Sequence, residues 1–283
     1  MNAKIRITLS MVIFGTISLF VRNIPLTSAE VALFRAVIAL VCLALLRAAQ
    51  KKPLRLRGMG RDVPLLFLSG AAMGFNWIFL FEAYRYTTVS VATLSYYFAP
   101  VIVMIACPIL FRERFTRWQL LCFVGSTVGL VLVINPGGLA GDSALKGVLF
   151  GLAAAALYAS VILLNKGIRG VSGLDRTALQ FAAAAIVLLL YILLTTGIRL
   201  EAMTPAGWGY MLAVGLVHSA LAYVLYFSSL RTLPGQEAAI LSYIDPLVAV
   251  LISLTVLGEA VLPAQLAGGA MILAFTLANE LRR

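Results

Sequence analysis

The chain has 283 residues, of which 62% are hydrophobic and only 12% are charged. A soluble fold of this length would carry about 25% charged residues, so the composition indicates a protein with several membrane-spanning helices. The formal net charge of +11 therefore does not indicate a nucleic-acid partner, and none is expected.

Ten apolar segments follow one another along the chain, each near the length of about 20 residues that a helix needs to cross a bilayer. A break rich in Gly and Pro at 135–144 divides them into two groups of five. We therefore predict an all-α membrane protein with a first unit at 1–134, a linker at 135–144 and a second unit at 145–283. The predicted helices 1 to 10 span 4–22, 28–49, 62–84, 88–110, 117–134, 145–166, 174–195, 205–229, 235–256 and 263–281.

One stretch occurs twice, at 94–120 and at 240–266, with an offset of 146 residues and no gap. Five residues of the first copy recur in the second, among them Tyr97, Pro100 and Glu113, which match Tyr243, Pro246 and Glu259. Because each half has an odd number of helices, the second half is expected to insert upside down, giving two inverted five-helix repeats. Chance similarity between segments of membrane composition is the alternative.

Basic residues are distributed unevenly between the two sides of the predicted membrane. With the N-terminus in the cytoplasm, 17 Lys and Arg residues fall on the inside and four on the outside, while Arg35 lies within a span. Cytoplasmic segments of membrane proteins carry an excess of Lys and Arg. The distribution predicts a multi-pass protein of the inner or plasma membrane with both termini cytoplasmic.

Short motifs add to this pattern: Phe14-Gly15 in helix 1, Arg35 between Phe and Ala in helix 2, and Pro100 followed by Glu113 in helix 4. Together with the ten-helix order, they resemble the EamA-type branch of the drug/metabolite transporter superfamily. The resemblance implies a transporter of amino acids, other small metabolites or drugs. It also implies a cavity lined by helices 1, 3, 4, 6, 8 and 9, with helices 5 and 10 to one side. Phe181 stands opposite Arg35 in the second half, which departs from the pattern.

Two ionisable residues fall near the middle of predicted helices. Asp245 directly precedes Pro246, and a carboxylate at that depth costs at least about 2.5 kcal/mol unless it is protonated, paired or hydrated. The two prolines, Pro100 and Pro246, are predicted to break their helices and free carbonyl groups for a ligand. Asp245 is therefore a candidate for cation binding or proton coupling; the alternative is a structural carboxylate bonded to a neighbouring hydroxyl or to His218. His218 is the only histidine and a candidate for proton exchange, or a structural hydrogen-bond partner.

Polar and aromatic residues at similar depth are further candidates for substrate contact, although aromatic residues near helix ends are usually interface anchors. These candidates are Asn76, Trp77, Tyr97, Tyr158, Tyr223 and Tyr243.

Arg35 and Glu82 both fall in the outer third of the predicted membrane. A buried arginine needs a partner, and Glu82 is the nearest carboxylate in depth, with Glu30 as the alternative. We predict a gating or structural ion pair between Arg35 and Glu82 rather than a substrate contact.

Gly125 and Gly129 of helix 5 have the spacing of a helix-pairing face, for which packing within the chain and dimerisation are the alternatives. Both a monomer and a homodimer therefore remain open.

Enzyme chemistry, cofactors and metal sites are not expected. The chain has no P-loop, no nucleophile elbow and no HExxH motif, and its three cysteines show no paired spacing. We expect a secondary transporter that moves a small polar or amphipathic metabolite, with an amino acid or related amine as the favoured substrate and export as the favoured direction. Protons are the candidate coupling ion. The alternatives are efflux of drugs or cationic compounds, a lipid flippase and a passive channel.

Overall fold

A computed structural model describes residues 2–49, 60, 62–99, 101–103, 106, 110, 116–134, 142–168, 171, 173–230, 241 and 244–282. Over these residues the regular structure is entirely helical. The helices are α1 (Ala3–Gly15), α2 (Ile17–Val21), α3 (Ser28–Ala49), α4 (Val63–Tyr86), α5 (Val89–Tyr96), α6 (Arg117–Ile134), α7 (Asp142–Gly167), α8 (Gly173–Thr195), α9 (Pro205–Ala213), a π-helical segment (Val214–Leu221), α10 (Ala222–Leu230), α11 (Ile244–Thr255) and α12 (Pro263–Leu281).

Six described stretches are long and apolar enough to cross a membrane: Ala3–Val21, Ser28–Ala49, Val63–Tyr86, Ser143–Asn165, Asp175–Leu194 and Pro205–Tyr226. Large apolar side chains cover the outside of the bundle, including Leu45 and Leu194, which are 66% and 83% exposed. A soluble protein would not leave so many of them in water. The molecule is therefore an all-α membrane protein.

The start of several helices follows from local sequence. Thr88 accepts a hydrogen bond from the Val91 amide and caps α5, while Thr204 does the same for α9, which continues with a proline in its first turn. Glu30 lies in the first turn of α3 and accepts from the Thr27 amide and hydroxyl, as expected for a carboxylate at a helix N-terminus.

The largest hydrophobic core lies where α3, α4, α8 and the π-helical segment meet, and it includes the fully buried Phe81, Phe181 and Leu188. Around this core, α1 packs against α10 and α11, and α7 packs against α4 and α5. The helices α5 and α11, each of which contains part of one of the two stretches predicted to be repeats, contact each other.

Helices α6 and α12 pack along each other through small residues. A methyl group added at Gly125 would lie 2.3 Å from the Phe275 ring, and one at Gly129 would lie 2.7 Å from the Gly268 carbonyl oxygen. Both glycines therefore face α12, so the prediction of packing within the chain is confirmed for this face.

Candidate functional site

Asp245 and Tyr97, which lie in the two stretches predicted to be repeats, form a hydrogen bond with each other. Tyr97, directly after α5, donates its hydroxyl proton to Oδ2 of Asp245, with the two oxygens 2.8 Å apart. The second carboxylate oxygen, Oδ1, accepts no hydrogen bond from the described residues. Among those residues, Asp245 thus has one neutral hydrogen-bond donor, at Oδ2. The neighbouring hydroxyl is one of the two structural partners that the sequence suggested.

Aromatic rings from both halves surround this carboxylate. Tyr96 packs against Tyr158 with ring centroids 5.3 Å apart, and Tyr223 meets Phe14 edge-on at 5.1 Å. Tyr96, Tyr158 and Tyr223 are all close enough to Asp245 to interact with its charge. We call Phe14, Tyr96, Tyr97, Tyr158, Tyr223 and Tyr226, together with Asp245, the aromatic cluster.

Every member of the aromatic cluster remains partly exposed although helices of both halves surround it. The members of the cluster come from α1, α7, α10, α11 and the end of α5. Gly15, one residue after Phe14, allows α1 to approach closely: a methyl group there would lie 2.7 Å from the Asp245 carbonyl oxygen. The predicted sites Tyr97, Tyr158, Tyr223 and Asp245 are therefore brought together.

Arg35 is buried in the protein interior. Its predicted ion pair with Glu82 is not formed. Nε of Arg35 donates to the Ser219 hydroxyl at 3.0 Å, and the guanidinium lies 4.4 Å from the Trp77 ring centroid and 5.5 Å from that of Phe81. Trp77 and Phe81 are four residues apart and share the face of α4 that meets Arg35. Glu82 follows Phe81 directly, so it lies about 100° around the helix axis from Phe81. Glu82 instead pairs with Arg85 at 3.5 Å, one turn further along the helix.

The segment around His218 is π-helical, which the sequence did not indicate. Nε2 of His218 lies 3.0 Å from the Thr16 hydroxyl oxygen, and Nδ1 lies 3.3 Å from the Ala213 carbonyl oxygen, five residues back. Its ring also packs against Phe20, with centroids 4.6 Å apart. His218 therefore contacts α1 and its own helix, and the alternative pairing of His218 with Asp245 is not formed.

The remaining predicted residues have separate positions. Asn76 is buried between α4 and α7, where its Nδ2 donates to the Ala154 carbonyl at 2.7 Å and joins the two helices. Trp77 packs under Arg35, and Pro246 is buried in α11 beside Asp245. Pro100 and Tyr243 lie outside the described residues.

At one end of the bundle the two halves are joined by charged residues that the sequence analysis did not connect. Arg22, directly after α2, donates from Nη1 to Oε1 of Glu259 at 2.5 Å, and from Nη2 to the Tyr84 carbonyl at 2.9 Å. Oε2 of Glu259 accepts from the Val89 amide at 2.7 Å and from the Ser253 hydroxyl at 2.6 Å. We call this arrangement the Arg22–Glu259 latch. Its residues come from distant parts of the chain, so no local motif could have indicated it.

These features define a multi-pass membrane protein: a bundle of apolar, membrane-length helices with buried ionisable and aromatic side chains. The model of the EamA-like transporter family matches residues 3–135 and 145–279, and the chain belongs to this family.

Of three relatives with similar sequences, two are named as transporters. The chain is 32% identical over 275 residues to an uncharacterized transporter of Archaeoglobus fulgidus, covering 96% of this chain and 93% of that one. It is 29% identical over 255 residues to the uncharacterized transporter YxxF of Bacillus subtilis, covering 89% and 80%. It is 28% identical over 228 residues to Protein PecM of Dickeya dadantii, covering 74% and 73%. A solved crystal structure with 18% identity superposes with a TM-score of 0.66 over 99% of this chain and 97% of that one, which shows the shared fold.

Proposed function

We propose that the protein is a secondary transporter that moves a small amine-bearing metabolite, an amino acid or related amine, by alternating access. The observation that carries this proposal is the Asp245 carboxylate, which among the described residues has one neutral hydrogen-bond donor and lies in a cluster of partly exposed tyrosines. A carboxylate inside a membrane protein needs a proton or a cation. Tyrosine and phenylalanine faces attract an ammonium group, so the aromatic cluster suits an amine.

A coupling proton is the second role that this carboxylate would fill. Asp245 can carry a proton when the substrate is absent and release it when the ammonium group binds. The symmetry-related position of the first half holds Ala99, so one half alone supplies this charge.

The proposed two-repeat architecture is supported by the way the helices pack. α1, the first helix of one half, contacts α10 and α11, and α7, the first helix of the other half, contacts α4 and α5. Likewise, α3 packs along the π-helical segment as α8 packs along α4. Exchanging the halves therefore reproduces these contacts. The two stretches matched by the family model, 3–135 and 145–279, also fall on either side of the proposed linker.

We propose that the Arg22–Glu259 latch closes the site toward the outside. In the proposed orientation, both termini and the 47–61 segment are cytoplasmic, so Arg22 and Glu259 lie at the external end. A cysteine introduced at Lys52 should then react with a membrane-impermeant maleimide in opened cells and not in intact cells. Labelling in intact cells would reverse the orientation and place the latch on the cytoplasmic side.

Counterflow in proteoliposomes tests the transport proposal. Vesicles preloaded with unlabelled amino acid or amine should transiently accumulate the same labelled compound, whereas vesicles holding a passive channel should only equilibrate. The panel should contain amino acids, their decarboxylated amines and tetraphenylphosphonium as a cationic drug mimic. Counterflow with tetraphenylphosphonium alone would favour drug efflux, and counterflow with no compound would overturn the proposal. Export, the proposed direction, is tested by comparing uphill transport in right-side-out and inside-out vesicles.

A further inference from the structure

The π-helical segment at Val214–Leu221 has side-chain hydrogen bonds that match its backbone. The Ser219 hydroxyl donates to the Val214 carbonyl at 2.9 Å, and Nδ1 of His218 lies 3.3 Å from the Ala213 carbonyl oxygen. Both contacts reach five residues back, which is the spacing of π-helical backbone bonds. Hydroxyls in the described α-helices instead bond a carbonyl four residues back, as those of Thr127, Ser160, Thr195, Ser229, Thr255 and Thr276 do. The side chains of the segment are therefore fitted to the π-helical form.

Neighbouring helices hold this segment from outside. On one side, Nε of Arg35 in α3 donates to the Ser219 hydroxyl at 3.0 Å, and the same hydroxyl donates to Val214. Directly after the segment, the Ala222 carbonyl accepts a hydrogen bond from the Ser10 hydroxyl of α1 at 2.8 Å. Arg35 and Ser10 are both buried, so each contact has a fixed position in the bundle. The π-helical form therefore depends on tertiary contacts as well as on its own backbone.

The segment joins two helices that have separate tasks. Before it, α9 is anchored on α3, where Trp208 meets Phe34 with ring centroids 6.0 Å apart. After it, α10 carries Tyr223 and Tyr226, whose rings lie 5.1 Å and 6.4 Å from that of Phe14. The path of the chain through the π-helical segment therefore decides which side chains α10 presents to the aromatic cluster.

A change of helix type would rotate α10. Each turn of a π-helix takes about one residue more than a turn of α-helix. If the segment became α-helical while α9 stayed in place, α10 would turn by about 100°, the angle of one residue. Ala222 would then take the position of Tyr223, and Leu225 that of Tyr226. Both hydroxyl-bearing rings would leave the aromatic cluster and two apolar side chains would replace them.

We propose that the π-helical segment is a positioning element of the candidate site: it sets which face of α10 lines the aromatic cluster, and Arg35 holds it in that register through Ser219. The inference goes beyond the proposed function, because it concerns the orientation of two tyrosines and applies to any substrate. Arg35 and Ser219 are positioning residues, since they act through α10 rather than on a ligand.

Crosslinking measures the rotation of α10 directly. In a cysteine-free background, one cysteine replaces Phe14 and a second replaces Ala222, Tyr223 or Val224 in turn. The purified full chain is treated in detergent with a short bifunctional methanethiosulfonate, and intact mass gives the crosslinked fraction of each pair. The Tyr223 position should crosslink best, because its ring contacts that of Phe14. A higher yield at Ala222 or Val224 would overturn the proposal.

Ser219→Ala removes the hydroxyl that joins Arg35 to the backbone of the π-helical segment. The ratio of the Tyr223 yield to the Ala222 yield should fall at least about fivefold, the effect of one hydrogen bond on a two-state equilibrium. Ser219→Thr keeps the hydroxyl and should keep the ratio. Ser229→Ala is the matched control, because Ser229 is equally buried but bonds four residues back. An unchanged ratio in Ser219→Ala, or an equal fall in Ser229→Ala, would overturn the proposal.

Deletion of Leu216 decides the question even if Ser219→Ala does not fold. Leu216 is 45% exposed, and its removal turns the five-residue spacing between Val214 and Ser219 into the four-residue spacing of an α-helix. The shortened segment should therefore become α-helical without rotating α10, and the Tyr223 position should still crosslink best. Added to this deletion, Ser219→Ala should no longer lower the ratio. Preferential crosslinking at Val224 in the deletion variant would show that α10 had rotated and would overturn the proposal.

Discussion

The charged residues at the Arg22 end of the bundle have more hydrogen-bond partners than the charged residues in its interior. In the Arg22–Glu259 latch, both oxygens of the carboxylate accept hydrogen bonds, from Arg22, the Val89 amide and the Ser253 hydroxyl. In the interior, Asp245 has one tyrosine hydroxyl and Arg35 one serine hydroxyl, each from the opposite half. The better-satisfied charges lie at the end of the bundle, and those with fewer partners lie in its interior.

This difference indicates what each set of charges is for. A satisfied ion pair that joins two halves stabilises one arrangement of them, which is what a gate requires. Buried charges with neutral partners reduce stability, and such strain is tolerated at sites that bind ligands. Under the proposed function, the latch would serve the conformation, while Asp245 would be kept available for the substrate.

The largest expected effect is the loss of uphill transport in Asp245→Asn. A hydrogen bond to a charged group contributes up to about 3 kcal/mol, so its loss lowers affinity by roughly 100-fold. The measurement is uphill uptake in proteoliposomes, compared with exchange at equal pH. Exchange that survives would assign Asp245 to proton coupling, because exchange needs no net proton movement. Unchanged uphill transport would leave Asp245 as a structural residue.

A smaller loss is expected when the approach of α1 to Asp245 is obstructed. In Gly15→Ala the added methyl group would lie 2.7 Å from both the Asp245 carbonyl oxygen and Val248 Cβ, so α11 must shift. Displacing a binding group by a few tenths of an ångström should reduce transport by about 10-fold. Gly209→Ala is the matched control, because nothing lies within 4 Å of a methyl group at that position. Equal transport activity of the two variants would show that the exact position of Asp245 does not limit transport.

A still smaller effect is expected from weakening the Arg22–Glu259 latch. Glu259→Gln removes the charge that Arg22 binds, and about 1 kcal/mol of lost latch energy shifts a two-state population by about fivefold. Ser90, fully enclosed in α5 one residue after Val89, reports the opening when replaced by cysteine in a cysteine-free background. Its maleimide labelling should rise about fivefold in Glu259→Gln. Labelling of a cysteine at Leu200, which is 39% exposed, should not change. A constant rate at Ser90 would mean that the latch does not control access.

Much of the fold could be predicted, because the length of an apolar segment can be read directly from consecutive residues of the sequence. The predicted segments 28–49 and 263–281 coincide with α3 and α12. The pairing of Arg35 could not be predicted in this way, since depth in the membrane does not fix which face of α4 meets α3. Trp77 and Phe81 occupy that face, and Glu82 does not.

The site was partly predictable for a related reason. Asp245, Tyr97, Tyr158 and Tyr223 are polar groups in apolar helices, and such groups tend to face one another in a bundle. Asn76 shares that property but bonds to a backbone carbonyl between α4 and α7, a contact that depends on helix rotation. The π-helical segment at Val214–Leu221 and the Arg22–Glu259 latch have no local sequence signal, because both depend on contacts between distant residues.

The unfolding temperatures of two neutralised variants test the central claim most directly. Glu259→Gln and Asp245→Asn each replace a carboxylate by an amide of the same shape, and neither measurement needs a known substrate. If the latch serves the conformation and the interior charge serves the ligand, Glu259→Gln should unfold a few degrees below the wild type. Asp245→Asn should then unfold at the wild-type temperature or above it. Asp245→Asn unfolding as far below the wild type as Glu259→Gln would contradict the account.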